Sequence, residues 1–80
     1  MSETETTSQL IAALKRAARD AAGAEAPLVS VTIEVLREGA PASISTEISR
    51  KTRTLVFAAA QANAADGAPI AAASSVHKIS

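Results

Sequence analysis

Eighty residues with no cysteine, tryptophan or tyrosine, and with Phe57 as the one aromatic, leave room for a single small domain and exclude a multi-domain enzyme. Twenty of the 38 hydrophobic residues are alanine, so the 48% hydrophobic content overstates what one copy can bury; with no disulfide and no Cys/His cluster for a structural metal, the expected staple is a second copy of the chain. Eight basic and eight acidic residues cancel, which removes the electrostatic drive toward nucleic acid or an anionic membrane, and one phenylalanine cannot build a base-stacking platform.

The first seven residues, Met1 to Thr7, are acidic where a targeting peptide would be basic, and no apolar run approaches the ~20 residues of a membrane span. A cytoplasmic protein is the expectation, with residues 1–7 flexible. Leu10, Ile11, Leu14, Ala17, Ala18 and Ala21 then share one helical face, with Lys15, Arg16 and Arg19 opposite. The spacing predicts an amphipathic helix over 8–22, capped by Thr6, Thr7 or Ser8 and stopped by Gly23. Its apolar face turns from leucine and isoleucine to alanine along its length, so the second half can approach a neighbouring backbone closely.

After Pro27 the period changes to two. Val29, Val31, Ile33 and Val35 alternate with Ser30, Thr32 and Glu34, as a strand with one buried face requires. Turn residues follow from Glu38 to Pro41. Ile44, Thr46 and Ile48 alternate with serines and Glu47 in a second strand, which runs into the basic cluster Arg50, Lys51 and Arg53. A third strand covers Thr54 to Asn63, Asp66-Gly67 reads as a two-residue hairpin, and a fourth strand covers Pro69 to Ile79. The predicted fold class is α+β: one N-terminal helix on a four-stranded antiparallel meander over 28–79, in a single domain spanning 1–80. The third and fourth strands are apolar on both faces, so their second side should be covered by a partner subunit or an adjacent sheet edge.

This order of elements resembles the hot-dog fold, in particular acyl-CoA thioesterases of the phenylacetate-pathway type. The resemblance rests on Val31 to Arg37 (Val-Thr-Ile-Glu-Val-Leu-Arg), Arg50 to Phe57 (Arg-Lys-Thr-Arg-Thr-Leu-Val-Phe) and Ala65 to Ala73 (Ala-Asp-Gly-Ala-Pro-Ile-Ala-Ala-Ala), about two-thirds of the chain. Family members carry a strand and a His-Gly-Gly ahead of the helix, and this chain reaches its helix without either; it reads as a form shortened at the N-terminus, with Ile11 where the histidine is expected. The acidic residue that follows in the family matches Asp20, in Asp20-Ala-Ala-Gly. By that resemblance Asp20 is the candidate catalytic carboxylate, a general base or nucleophile on an acyl thioester. The competing reading pairs it with Arg16 one turn earlier on the helix surface.

In hot-dog proteins that bind coenzyme A, basic residues near the second turn meet its phosphates, and Arg50, Lys51 and Arg53 occupy that place; the competing reading is a charged hairpin tip that discourages aggregation. His77 is expected at a surface or edge, and Asp66 is explained by its turn. No metal site and no bound cofactor are expected. None of the 16 serines and threonines sits in a Gly-x-Ser-x-Gly elbow, and three glycines make neither a Walker nor a dinucleotide pattern. Two readings remain. One is an oligomeric thioesterase-like domain that binds or hydrolyses an acyl-CoA between subunits, as a homodimer or homotetramer; the other is a non-catalytic hot-dog-like binding or assembly protein.

Overall fold

The computed structural model describes residues 3–79, with side chains from Thr6 onward. Helix α1 runs Glu3–Ala22. It therefore begins at Glu3 and not at Ser8, and Thr6, Thr7 and Ser8 lie inside it as ordinary helical residues; of the stretch expected to be flexible, residues 3–7 are helical, while Met1 and Ser2 fall outside the described residues. The reason is visible in the burial. Thr6, Leu10, Leu14 and Ala18 recur every four residues and all are buried, so contact with the sheet extends one turn ahead of the first large aliphatic side chain. At the other end Gly23 takes a φ of 71°, a left-handed conformation, and its N–H donates to the Arg19 carbonyl at 2.9 Å.

Four strands follow: β1 Leu28–Val35, β2 Ser43–Lys51, β3 Leu55–Asn63 and β4 Pro69–Lys78. All neighbours are antiparallel, and the order is β1-β4-β3-β2. This corrects the expected meander. Strands β2, β3 and β4 follow one another across the sheet, but β1 pairs with β4, so residues 36–42 form a crossing over the end of the sheet and the Glu38 to Pro41 segment is no hairpin. The crossing is fastened at both ends: the N–H groups of Leu36 and Arg37 donate to the Ile70 carbonyl at 2.7 and 3.1 Å, and Ala42 N–H to the Asn63 carbonyl at 2.8 Å. The physical cause lies in strand composition. β3 and β4 are apolar on both faces and take the interior positions, while the alternating strands β1 and β2 tolerate the edges.

Helix α1 covers one face of the sheet. Leu10 and Leu14 meet Ala58, Ala60 and Ala62 of β3 and Ile70, Ala71 and Ala73 of β4, with Val31, Ile33 and Ile44 of the edge strands packed around them. A second, smaller cluster of Ala18, Ala26 and Val56 lies toward the helix C-terminus. Alanine on the sheet side lets the helix approach the strand backbones closely, so the leucines supply most of the buried volume. Phe57, Ala59, Ala72 and Val76 lie half-buried on the opposite face.

Both hairpins are short. Between β3 and β4, Ala64 N–H donates to the Ala68 carbonyl and Gly67 N–H to the Ala64 carbonyl, each at 2.9 Å, and Gly67 alone in this turn has positive φ, 87°. That is a three-residue loop, Ala65-Asp66-Gly67, with Gly67 in the bulge position; a two-residue primed turn would require positive φ at Asp66 as well. Asp66 Oδ1 instead accepts from Ala68 N–H at 3.0 Å. Between β2 and β3, Thr52 organises the turn: its N–H donates to the Leu55 carbonyl at 2.8 Å, and its Oγ1 accepts from Leu55 N–H at 3.0 Å.

Candidate functional site

Asp20 is exposed near the C-terminal end of α1. It opens onto a groove of about 370 Å³ between α1 and the edge strand β2, lined also by Gln9, Ala13, Arg16, Ala17, Ile44 and Thr46. The small side chains of the helix create this groove. Ala13 and Ala17 leave space where larger residues would close against Ile44 and Thr46. Arg16 lines the same groove, yet no ion pair joins it to Asp20 among the described residues; Arg19 of α1 instead meets Glu25 of the loop that follows, at 3.8 Å.

Ile11, where the resemblance puts a histidine, is half-buried on α1. The long helix also separates two parts of the expected chemistry. Seventeen residues at 1.5 Å rise put the first turn of the helix about 25 Å from Asp20. One chain cannot direct both at a single thioester.

The basic cluster is contiguous in sequence but divided in space. A bulge between Ile48 and Arg50 shifts the register of β2, so that Arg50 stands opposite Phe57 and Lys51 opposite Val56. Phe57 belongs to the open face of the sheet and Val56 to the helix-covered face, so Arg50 and Lys51 project to opposite sides. Arg53 lies in the turn beyond. All three are exposed, and none lines the groove beside Asp20.

His77 departs most from expectation. It is fully buried beneath α1, not at a surface or edge. Its Nδ1 lies 3.3 Å from the Ala26 carbonyl and its Nε2 lies 2.7 Å from Ser75 Oγ. Burial pushes its pKa below the ordinary 6.5; the Ala26 carbonyl partly offsets this, and the Lys15 cation adds to the lowering. A sequence signal for the pair did exist: Ser75 and His77 continue the inward register of Ala71 and Ala73 on an interior strand flanked by β1 and β3.

Among the described residues no group of three His, Cys, Asp or Glu side chains could hold a metal ion, and no helix is long and apolar enough to cross a membrane. No family model and no curated protein matches the sequence. A crystal structure of a protein from the thioesterase superfamily is similar over 100% of this chain, with a TM-score of 0.85 at 16% identity. The chain has the hot-dog fold. It spans 62% of the length of that solved structure. Within the hot-dog frame, the groove at Asp20 lies along the free edge strand β2, and the basic turn lies at the end of the same strand.

Proposed function

We propose that this hot-dog domain is thioesterase-like, and that it binds or hydrolyses an acyl thioester, with acyl-CoA as the ligand class, between two copies of the chain. The observation that carries the reading is the placement of Asp20 in a groove whose outer wall stops at the unpaired edge of β2. A second copy laid along that edge closes the groove. With two antiparallel helices side by side, the N-terminus of one α1 approaches the C-terminal turn of the other, which removes the ~25 Å separation that a single chain imposes.

In such a site the Asp20 carboxylate takes a proton from water, the oxygen adds to the thioester carbonyl, and the C–S bond breaks to release the thiol, which recovers the proton. Backbone N–H groups at the partner copy's helix N-terminus would hold the developing oxyanion. Arg50 or Arg53 would meet the coenzyme A phosphates, from one side of the sheet only, given how the cluster is divided.

A specific observation favours the second reading, a non-catalytic binding or assembly protein. Ile11 replaces the expected histidine, and the chain's single imidazole is enclosed in the core with both nitrogens occupied.

Thiol release from short, medium, long and aromatic acyl-CoAs separates the two. The catalytic reading expects release that Asp20→Ala reduces by roughly 100-fold or more; background release across the panel, or release unchanged in Asp20→Ala, leaves only the binding reading. Coenzyme A titration against Arg50→Ala and Arg53→Ala tests the phosphate contacts. Light scattering at micromolar concentration tests the assembly, and a folded monomer would overturn the shared site.

A further inference from the structure

His77 is the one histidine in the sequence, and its two hydrogen bonds define its protonation. A carbonyl oxygen only accepts, so Nδ1 carries the proton and donates to Ala26. That leaves Nε2 with a lone pair, and the Ser75 hydroxyl donates to it. One neutral ring thus ties β4 to residues 23–27, the loop that turns the chain from α1 into β1.

This corner has few other fastenings. Its apolar contacts are the small cluster of Ala18, Ala26 and Val56, edged by Ala21, Ala22 and Ile79, apart from the main core. Lys78 N–H donates to the Pro27 carbonyl at 2.9 Å, and the β1–β4 register is irregular between Leu28 and Ser30, directly beside His77.

We propose that Ser75, His77 and the Ala26 carbonyl form an acid-sensitive latch, which holds the α1–β1 corner on β4 while the imidazole is neutral and frees it when the ring takes a second proton.

Protonation acts in two ways. A new N–H at Nε2 faces the Ser75 hydroxyl, which must turn to accept and loses the acceptor for its own hydrogen. The ring also becomes a cation in a site closed to water. Among the described residues, the neighbouring elements offer it no anion. α1 contributes Lys15, which repels it; the 23–27 loop contributes Glu25, engaged at the surface with Arg19; β1 and β3 present Leu28 and Val56 at its register; and Lys78, next on β4, points to the other side of the sheet. The latch depends on the fold alone and operates whether or not Asp20 is catalytic.

Hydrogen exchange on the full chain tests it, with rates corrected for the chemical effect of pH. Between about pH 7.5 and about pH 5.5, the Lys78 amide should lose up to about tenfold of its protection, and at each pH it should exchange faster than the Ala58 to Ala62 amides of β3, which open only with the whole domain. His77→Gln offers an acceptor and a donor without titrating, so its Lys78 protection should not vary with pH. Unchanged protection at Lys78 in the natural chain, Lys78 protection equal to that of β3 at every pH, or the same pH dependence in His77→Gln would each overturn the latch. Should His77→Gln fail to fold, ¹⁵N shifts of the natural ring decide: the Nδ1–H tautomer titrating together with the loss at Lys78 supports it, and a ring that titrates without that loss refutes it.

Discussion

Leu14→Ala tests the alanine-lined core most directly. Leu14 is fully buried among Ala58, Ala60, Ala62 and Ile70, and removing its outer carbons leaves a hole that those neighbours cannot fill. Leucine-to-alanine changes in cores cost 2–5 kcal/mol depending on how far the site collapses; alanines on a hydrogen-bonded sheet have no side-chain reach, so the upper half, about 3–5 kcal/mol, is expected. A domain of this length has roughly 4–12 kcal/mol of stability in total, at 0.05–0.15 kcal/mol per residue. The midpoint should therefore fall by about 12 °C or more, at 4–8 °C per kcal/mol. Urea denaturation followed by circular dichroism is the suitable assay, because no tryptophan or tyrosine is present to report by fluorescence. Val29→Ala serves as the control: Val29 is 61% exposed, and its loss should change stability by no more than about 0.5 kcal/mol. A cost below about 1 kcal/mol for Leu14→Ala would refute the packing of α1 on β3 and β4.

Filling the same core should also destabilise it: Ala60→Leu pushes α1 from the sheet and should cost about 1–3 kcal/mol in the same urea titration. Gly67→Ala places a side chain at a φ of 87° and should cost about 1 kcal/mol or more, and a Gly67→Ala variant as stable as the natural chain would show that the bulged turn is misread. Global stability should depend on the single imidazole. Because folding lowers the His77 pKa, the unfolded chain binds the proton first, so stability is complete above the ordinary value of 6.5 and declines as pH falls from there toward the lowered folded value; thermal melts of His77→Gln should lack that decline. Glu25→Ala breaks an ion pair at 3.8 Å between two largely exposed side chains and should move the urea midpoint by less than about 0.5 kcal/mol equivalent.

Several of these features were legible in the residues. The period-two alternation from Val29 to Val35 and from Ile44 to Ile48 located β1 and β2, and the Leu10, Leu14, Ala18 stripe located the helix, because periodicity reports burial directly. Which strands are neighbours was harder to read. The two-sided apolar character of β3 and β4 did carry the answer, since only interior strands need it, but turn residues from Glu38 to Pro41 imitate a hairpin when they in fact bridge the sheet. The site was legible to a lesser extent. Asp20 does reach a groove, as a helical carboxylate beside alanines can. The basic cluster divides because consecutive residues of a strand emerge on opposite faces, and the bulge in β2, which leaves no mark in composition, sets which of Arg50 and Lys51 takes which side. His77 was misplaced because a lone polar residue near a chain end reads as exposed until strand parity with Ala71 and Ala73 is counted.

The pairing of β1 with β4 also constrains how the chain can be made. Residues 28–35 leave the ribosome before any of their partners in 69–78, and synthesis of the intervening residues 36–68 takes about 2–7 s at 5–20 residues per second. During that interval a β2–β3 hairpin can close by itself, whereas β1 and the leucines of α1 have only part of their surface to bury. A chain stalled or cut after Asn63 therefore loses two strands' worth of pairing and not one, since β1 is orphaned along with the missing β4. Quality control in the cell would meet that species as a helix with a bare apolar stripe beside an open strand. Strand β4 thus determines when this domain can close its sheet.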